Sequence, residues 1–312
     1  MKLSNDEKPK HSLAETTKLT EESARTYLES LLWPTGPVCP HCKSQSVTRI
    51  AGTTARPGLF MCNDCRKQFT VTVGTIFEDS HIALRSWVMA FQMMCASKKG
   101  VSAKQVQRQL GLGSYKSAWF LCHRIRYAMK NGPMARLLKG VVEVDETYVG
   151  GKPRPGTGPH KRGRGTCKTP VMALVERNGS VRTRVVANVT GKTLKSAIRE
   201  NVARSAAIYT DEWASYRGIG REFKGGHDFV RHGSGEYTKG DVNTNTAESF
   251  FALLKRGVYG TFHHVSKTHL HRYCVEFEFR WNHRGVEDGE RMETAIKSAE
   301  GKRLMYREPV GG

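Results

Sequence analysis

Residues 140–149 read Gly140-Val141-Val142-Glu143-Val144-Asp145-Glu146-Thr147-Tyr148-Val149. Valine, threonine and tyrosine dominate the run, and Gly150-Gly151 follow it, so it reads as a β-strand. It places Glu143, Asp145 and Glu146 on structured backbone, although Lys and Arg number 50 in this chain against 29 Asp and Glu. Acids on a strand of so basic a chain call for an explanation.

The stretches that follow set the fold class. Val171 to Glu176 and Val181 to Val189 read as two strands, joined at Asn178-Gly179, a dipeptide that favours the tight turn of a hairpin. Residues 191–205 read as a helix and Ala206-Ala207-Ile208-Tyr209-Thr210 as a fourth strand; residues 246–256 and about 266–282 have helical periodicity. Strands ahead of helices, with one helix between strands, imply an α/β domain with a mixed sheet over 138–285.

The whole chain has 312 residues, enough for about two domains, a net charge of +21 and a sequence pI of about 9.8. That excess expects a polyanionic partner, nucleic acid first. At 38% hydrophobic and 25% charged, the composition is that of a globular chain. The absence of a long apolar run argues against a membrane span, and Met1–His11 has no apolar signal-peptide core.

Cys39, Cys42, Cys62 and Cys65 form a C-x2-C-x19-C-x2-C pattern. Two short knuckles bring four thiolates to one tetrahedral Zn²⁺, and the stretch between them folds as a hairpin, so 31–75 reads as a zinc ribbon. Phe60 and Phe69 flank the second knuckle as its small apolar core. The other four cysteines lie in apolar stretches and read as buried. Residues 1–30 read as an N-terminal helical segment, with Thr20-Glu21-Glu22-Ser23 as the helix start and Leu28, Leu31 and Leu32 on its apolar side.

From 80 to 131 the pattern is helical, with Trp87, Phe91 and Met94 at i, i+4 and i+7. Val101 to Trp119 reads as helix, glycine-containing turn, and a second helix opened by Ser114, the pattern of a helix-turn-helix. Lys116, His123, Arg124, Arg126 and Lys130 fall on the second helix and read as its DNA-facing side. The 150–168 stretch holds six Lys or Arg, among them Lys152, Arg162 and Arg164, and no acid. With its glycines and prolines it reads as a flexible clamp on a phosphate backbone. Residues 286–312 read as a charged, loose tail.

Three acids stand out: Asp145, Asp211 just after the fourth strand, and Glu248 at the start of a helix, 66 and 37 residues apart. Carboxylates at strand ends and on a neighbouring helix can meet in one cleft. Such oxygen donors suit two Mg²⁺ or Mn²⁺ ions, which would stabilise both attacking and leaving oxygens of a displacement at phosphorus. Structural readings stand beside each. Glu143 competes with Asp145, Asp211 could cap a short helix, and Glu248 could complete a capping box begun by Asn245. Glu248, Ala252 and Lys255 share a helix face at i, i+4 and i+7, which puts Lys255, with Arg256 beyond it, near a bound phosphate.

These residues also carry a resemblance. Val144 to Lys152, Thr210-Asp211-Glu212, and Asn243 to Phe251 continuing through Leu254-Lys255-Arg256 to Val265 resemble the DDE transposases of bacterial insertion sequences, in the ISXO-like group with an N-terminal zinc ribbon. The resemblance spans about residues 30 to 285. It implies a ribonuclease-H-like catalytic domain, two divalent ions, and cleavage and strand transfer of DNA at element ends. Carried over, Asp145, Asp211 and Glu248 are the catalytic, metal-binding acids, and Lys255 completes an E-x6-K pattern. Asn243 and Asn245 stay open as alternatives for the third ligand. The expected partners are double-stranded DNA and further copies of the chain, with no membrane, in a bacterial cytoplasm beside the nucleoid. A non-catalytic zinc-ribbon and helix-turn-helix regulator and a nuclease on the same fold are the alternative readings.

Overall fold

The computed structural model describes residues 12–130, 136–151, 166–235 and 238–306. The chain divides into two compact units, one of residues 1–130 with 284–312 and one of residues 131–283.

The first unit opens with α1 (Leu13–Thr16) and α2 (Glu21–Leu32). Thr20 caps α2 as the sequence suggests, its hydroxyl accepting from Ser23 N at 3.1 Å. Ala24, Leu28 and Leu32 form the buried stripe of that helix. Three short strands, β1 (Val47–Arg49), β2 (Phe60–Cys62) and β3 (Gln68–Phe69), pair antiparallel in that order. Phe60 and Phe69 stack with centroids 5.7 Å apart, and Trp33 meets both edge-on. This aromatic cluster with Cys39 and Cys62 is the whole core of the ribbon.

Three helices follow: α3 (Leu84–Ala96), α4 (Ala103–Gln109) and α5 (Tyr115–Ala128). Trp87, Phe91 and Met94 on α3 are fully buried, as their spacing requires. Ser102 caps α4, and Ser114 caps α5 by accepting from Ser117 N at 3.0 Å. Between them Gly111 takes φ +63°, a left-handed value that a side chain disfavours, and turns the chain.

The second unit is built on a five-stranded sheet. Its strands are β4 (Val141–Val149), β5 (Thr169–Glu176), β6 (Val181–Val185), β7 (Ala207–Asp211) and β8 (His227–Val230), with α6 (Gly191–Asn201) between β6 and β7. The spatial order is β6-β5-β4-β7-β8. The β6-β5-β4 half is antiparallel, whereas β4, β7 and β8 run parallel, so the sheet is mixed. Asn178 takes φ +57° in the β5–β6 turn. The unit closes with α7 (Asn245–Gly257) and α8 (Leu270–Asn282).

Two cores sandwich the sheet. On one face, Val142, Val144, Met172, Leu174 and Ile208 pack with Leu194, Ala197 and Ile198 of α6. On the other, Val149, Val171, Ala173 and Val175 pack with Phe250, Phe251 and Leu254 of α7 and Cys274 and Phe277 of α8. Odd-numbered residues of β4 therefore face α7, and even-numbered ones face α6.

The chain then re-enters the first unit as α9 (Asp288–Lys297). This corrects the loose tail expected over 286–312. Met292, Ala295 and Ile296 are fully buried against α3 and α2, and Tyr27 donates to Glu293 Oε1 at 3.4 Å. Burying such apolar side chains stabilises each by roughly 1.5–3 kcal/mol, enough to fix a ten-residue helix that propensity alone would leave frayed. No helix among the described residues is long and apolar enough to cross a membrane.

Candidate metal centre and active site

The four ribbon cysteines converge. Their Sγ atoms all lie within 4.8 Å of one another, with Cys39–Cys65 at 3.7 Å and Cys42–Cys62 at 3.5 Å. A tetrahedron of thiolates around zinc, with bonds of about 2.3 Å, has S···S edges of about 3.8 Å. A disulfide needs about 2.05 Å, so these are thiols set for a metal. Each knuckle is shaped by backbone: Lys43 N donates to Cys39 O and Arg66 N to Cys62 O, with Lys43 and Arg66 left-handed at φ +65° and +59°. Backbone N–H groups of Cys65 and Asp64 hold the Cys62 thiol down to about 7, against the cost of its burial. The site fits structural Zn²⁺. Of the remaining cysteines, Cys95, Cys122 and Cys274 are buried as expected, whereas Cys167 is exposed just ahead of β5.

Asp211 and Glu248 lie close enough to Asp145 to act on it electrostatically. Register sets the two aspartates. Glu143 on β4 pairs with Tyr209 on the parallel strand β7. Asp145 and Asp211 lie two residues farther along the same strands, on the same face of the pleat. That face is the one α7 covers, and α7 carries Glu248 on its first turn. The Asp145 carboxyl is pushed up to about 7, first by burial, then by the Glu146 carboxylate, and further by Asp211 and Glu248. The N–H of Glu146, donating to Asp145 Oδ1 at 2.7 Å, offsets part of that rise. Among the described residues the four cysteines are the one group of candidate metal ligands whose ligand atoms all lie within 4.8 Å of one another; Asp145, Asp211 and Glu248 are not drawn together that closely.

Structure decides the competing readings of each acid. Glu143 is fully buried and has a structural task. Its Oε2 accepts from Thr246 N at 2.8 Å and Ala247 N at 3.1 Å, and its Oε1 from Thr246 Oγ1 at 3.0 Å and Arg177 Nε at 2.7 Å. Thr244, the first residue of the helix cap, makes no side-chain cap bond to α7. A carboxylate 103 residues upstream supplies that cap and docks α7 on β4. Arg177 also donates to Asn243 O at 3.2 Å and lies over the Tyr209 ring, 5.0 Å from its centroid.

Glu248 falls at the fourth helical position, past any capping box begun at Asn245, and is exposed. Asn243 turns inward on the backbone, accepting from Asn245 N at 3.2 Å and donating to Asp241 O at 3.2 Å. Asp211 Oδ1 accepts from Trp213 N at 3.1 Å, which shapes the turn after β7. Glu146, on the opposite face, accepts a short hydrogen bond from the Tyr216 hydroxyl. Burial and then that carboxylate raise the Tyr216 phenol far above its usual range.

The basic candidates divide. Lys255 is half-buried and Arg256 exposed on α7. Lys116 is exposed at the start of α5, its ammonium 4.3 Å from the Tyr306 ring centroid. Arg124 corrects the sequence reading. It is 5% exposed, donates from Nε to Leu304 O at 3.1 Å and lies over the Phe120 ring. His123 and Arg126 are buried too, because that side of α5 faces its own unit. Lys152, Arg162 and Arg164 lie outside the described residues.

Two family models match the chain: the ISXO2-like transposase domain over residues 137–282 and the transposase zinc-ribbon domain over residues 19–68. The chain is also 31% identical over 276 residues to an uncharacterized protein in transposable element ISH50 of Halobacterium salinarum, covering 85% of this chain and 92% of that one. The chain belongs to the ISXO2-like transposase family. The first match begins just ahead of β4 and ends with α8, so this transposase-family chain carries Asp145, Asp211 and Glu248 all within the matched domain. The second ends just past Cys65 and contains all four zinc ligands. Family membership makes DNA the partner to expect for the +21 charge.

Proposed function

We propose that this chain is the transposase of an insertion sequence, which binds the element's terminal repeats and catalyses metal-dependent cleavage and strand transfer of DNA. The observation that supports the reading is the placement of Asp145 and Asp211 on one face of two adjacent parallel strands, under the helix that carries Glu248, with both other acids acting electrostatically on Asp145.

An all-carboxylate donor set fits hard divalent ions, Mg²⁺ or Mn²⁺, and Asp145, Asp211 and Glu248 are the residues that hold them. Two such ions, when bound, stabilise the attacking and leaving oxygens of an in-line displacement at phosphorus. The chain's own residues align the strand for attack, first by water and then by a freed 3′-hydroxyl. Lys255 and Arg256 hold phosphates beside the acids. The mixed sheet with its acids on adjacent strands supports a ribonuclease-H-like reading of the domain. The ribbon and the α4–α5 pair, read as a helix-turn-helix, serve recognition of the ends, with Lys116 on its exposed side. Lys152, Arg162 and Arg164 clamp the backbone. Two ends must be joined in one event, which favours a homo-oligomer working at the nucleoid in the bacterial cytoplasm.

The test is incubation of the protein with DNA carrying the element's ends in Mg²⁺ or Mn²⁺, wild type beside Asp145→Asn. The variant should lose cleavage and joining by about a thousand-fold or more, equivalent to about 4 kcal/mol of barrier. Equal activity removes the enzyme reading. Cleavage without joined products assigns a nuclease, and sequence-specific binding without cleavage by wild type assigns a regulator.

A further inference from the structure

In sheets with parallel strands, ligands gather outside the C-terminal strand ends. Here β7 ends at Asp211 and β8 at Val230, which pair with each other. Beyond them opens a cleft of about 450 Å³, lined by Asp211, Trp213, Arg217, His227, Phe229 and Arg231 among others. Asp211 lines it at the end of β7; Phe229 pairs with Thr210 and so stands on the α6 face, and a DNA strand passing over the end of β7 would reach from the acids to the cleft.

The lining is unusual in two respects. Phe229 leaves 39% of its surface exposed on a strand whose next residue, Val230, is fully buried. Its ring stands 6.1 Å from that of His227, and the Arg231 guanidinium lies 5.8 Å from its centroid. Arg217 and Arg231 are both exposed and make no ion pair with a described residue, whereas Arg177, Arg184, Arg199 and Arg204 of the same unit all sit on carboxylates. The remaining wall acid, Glu212, accepts from Gly233 N at 3.1 Å and holds the turn after β8 in place.

A partly exposed aromatic ring with a guanidinium beside it, and a second arginine nearby that has no ion pair among the described residues, matches the chemistry of a nucleotide. The base stacks on the π surface and the arginines take its phosphates. A phosphate alone has no use for Phe229, and a neutral apolar ligand has none for two arginines. A base inside a duplex presents no free face, so the ligand is an unpaired one. Resting on the function proposed above, we infer that this cleft takes one unstacked nucleobase of the DNA strand whose phosphate lies at Asp145 and Asp211, with Phe229 as its stacking platform.

The probe is a DNA duplex with a short single-stranded 3′ tail, bound to the full-length zinc-loaded protein in buffer without Mg²⁺, Mn²⁺ or chelator and followed by fluorescence anisotropy. An abasic residue is moved through the tail one position at a time. Wild type should lose on the order of ten-fold in affinity at one position, the size of one base–aromatic stack. Phe229→Ala should bind the intact tail that much more weakly and ignore the abasic residue, and Phe229→Trp should behave as wild type. Wild type indifferent to every abasic position overturns the inference. So does Phe229→Ala losing affinity equally for intact and abasic tails. Because no chemistry is expected without Mg²⁺ or Mn²⁺, base discrimination without later cleavage in Mg²⁺ removes only the enzyme reading. Cleavage without discrimination removes only the base site.

Discussion

Replacing Glu143 by Gln tests how Glu248 is brought to Asp145. The carboxylate is wholly buried and accepts four hydrogen bonds, from Arg177 Nε, Thr246 N, Thr246 Oγ1 and Ala247 N. Glutamine has one acceptor oxygen and one donor NH2, so either Arg177 or the helix N–H groups must face a donor. Hydrogen bonds to a charged group are worth about 1.5–3 kcal/mol each, and breaking a buried ion pair costs about 3–5 kcal/mol. A loss of about 3–5 kcal/mol in a unit of this size lowers its melting temperature by about 6–20 °C. Hydrogen exchange at the backbone amides of β4 and α7, both in the second unit, followed through urea unfolding, reads that loss. A cycle with Arg177→Met separates the ion pair from the helix cap: the double variant should be clearly less unstable than the sum of the two. If Glu143→Gln unfolds within about 1 kcal/mol of wild type, the idea that this carboxylate docks α7 is wrong.

Three further outcomes follow from other parts of the molecule. A Cys39→Ser, Cys62→Ser variant should purify without the one zinc per chain that elemental analysis finds in wild type; full zinc content in the variant removes the ribbon assignment. Lys255→Ala should weaken DNA binding to a similar extent across sequences and lower the salt-dependence slope by about 1, since its partner would be a phosphate; an unchanged slope refutes that contact. Arg199 first, and then Arg204, hold the Glu222 carboxyl down to about 2 from its ordinary 4.5. A depressed acid contributes stability that is present above pH 4.5 and is lost as pH falls toward 2. Glu222→Gln should therefore flatten the fall of melting temperature across that window, and an unaltered acid limb counts against the pairing.

Local chemistry explains which features were legible in the sequence. Cysteine spacing alone located the metal centre, because two C-x2-C knuckles impose their own turns. The 140–149 strand and the Asn178-Gly179 turn were readable for the same reason. Glu143 and Asp145 are different. They sit two apart on one strand, so alternation gives them the same face, and only the docking of α7 separates a helix cap from a candidate ligand. Arg124 looked exposed because basic residues on a helix usually are; its partner, Leu304 O, lies 180 residues away and gives no local sign. The β8 strand has no counterpart in the sequence reading because His227-Asp228-Phe229-Val230 is short and follows Gly225-Gly226, a turn-favouring pair. Met292, Ala295 and Ile296 do have helical spacing, but in α9 they are outnumbered by polar residues, and only the apolar surfaces of α3 and α2 give them value.

The return of α9 has a consequence for synthesis. The first unit takes its core from segments on both sides of the second unit, and Tyr27 meets Glu293 across 266 residues of chain. A ribosome must therefore translate the whole second unit before the ribbon-bearing unit can close over α3. Contacts so distant in sequence form late, and until then the apolar side of α3 stays open to solvent, chaperones and proteases. Products cut short by a frameshift or stop codon before residue 288 would retain the zinc ligands yet lack the helix that completes their fold. Such fragments would be cleared, so only a chain translated past α9 would carry a finished ribbon-bearing unit.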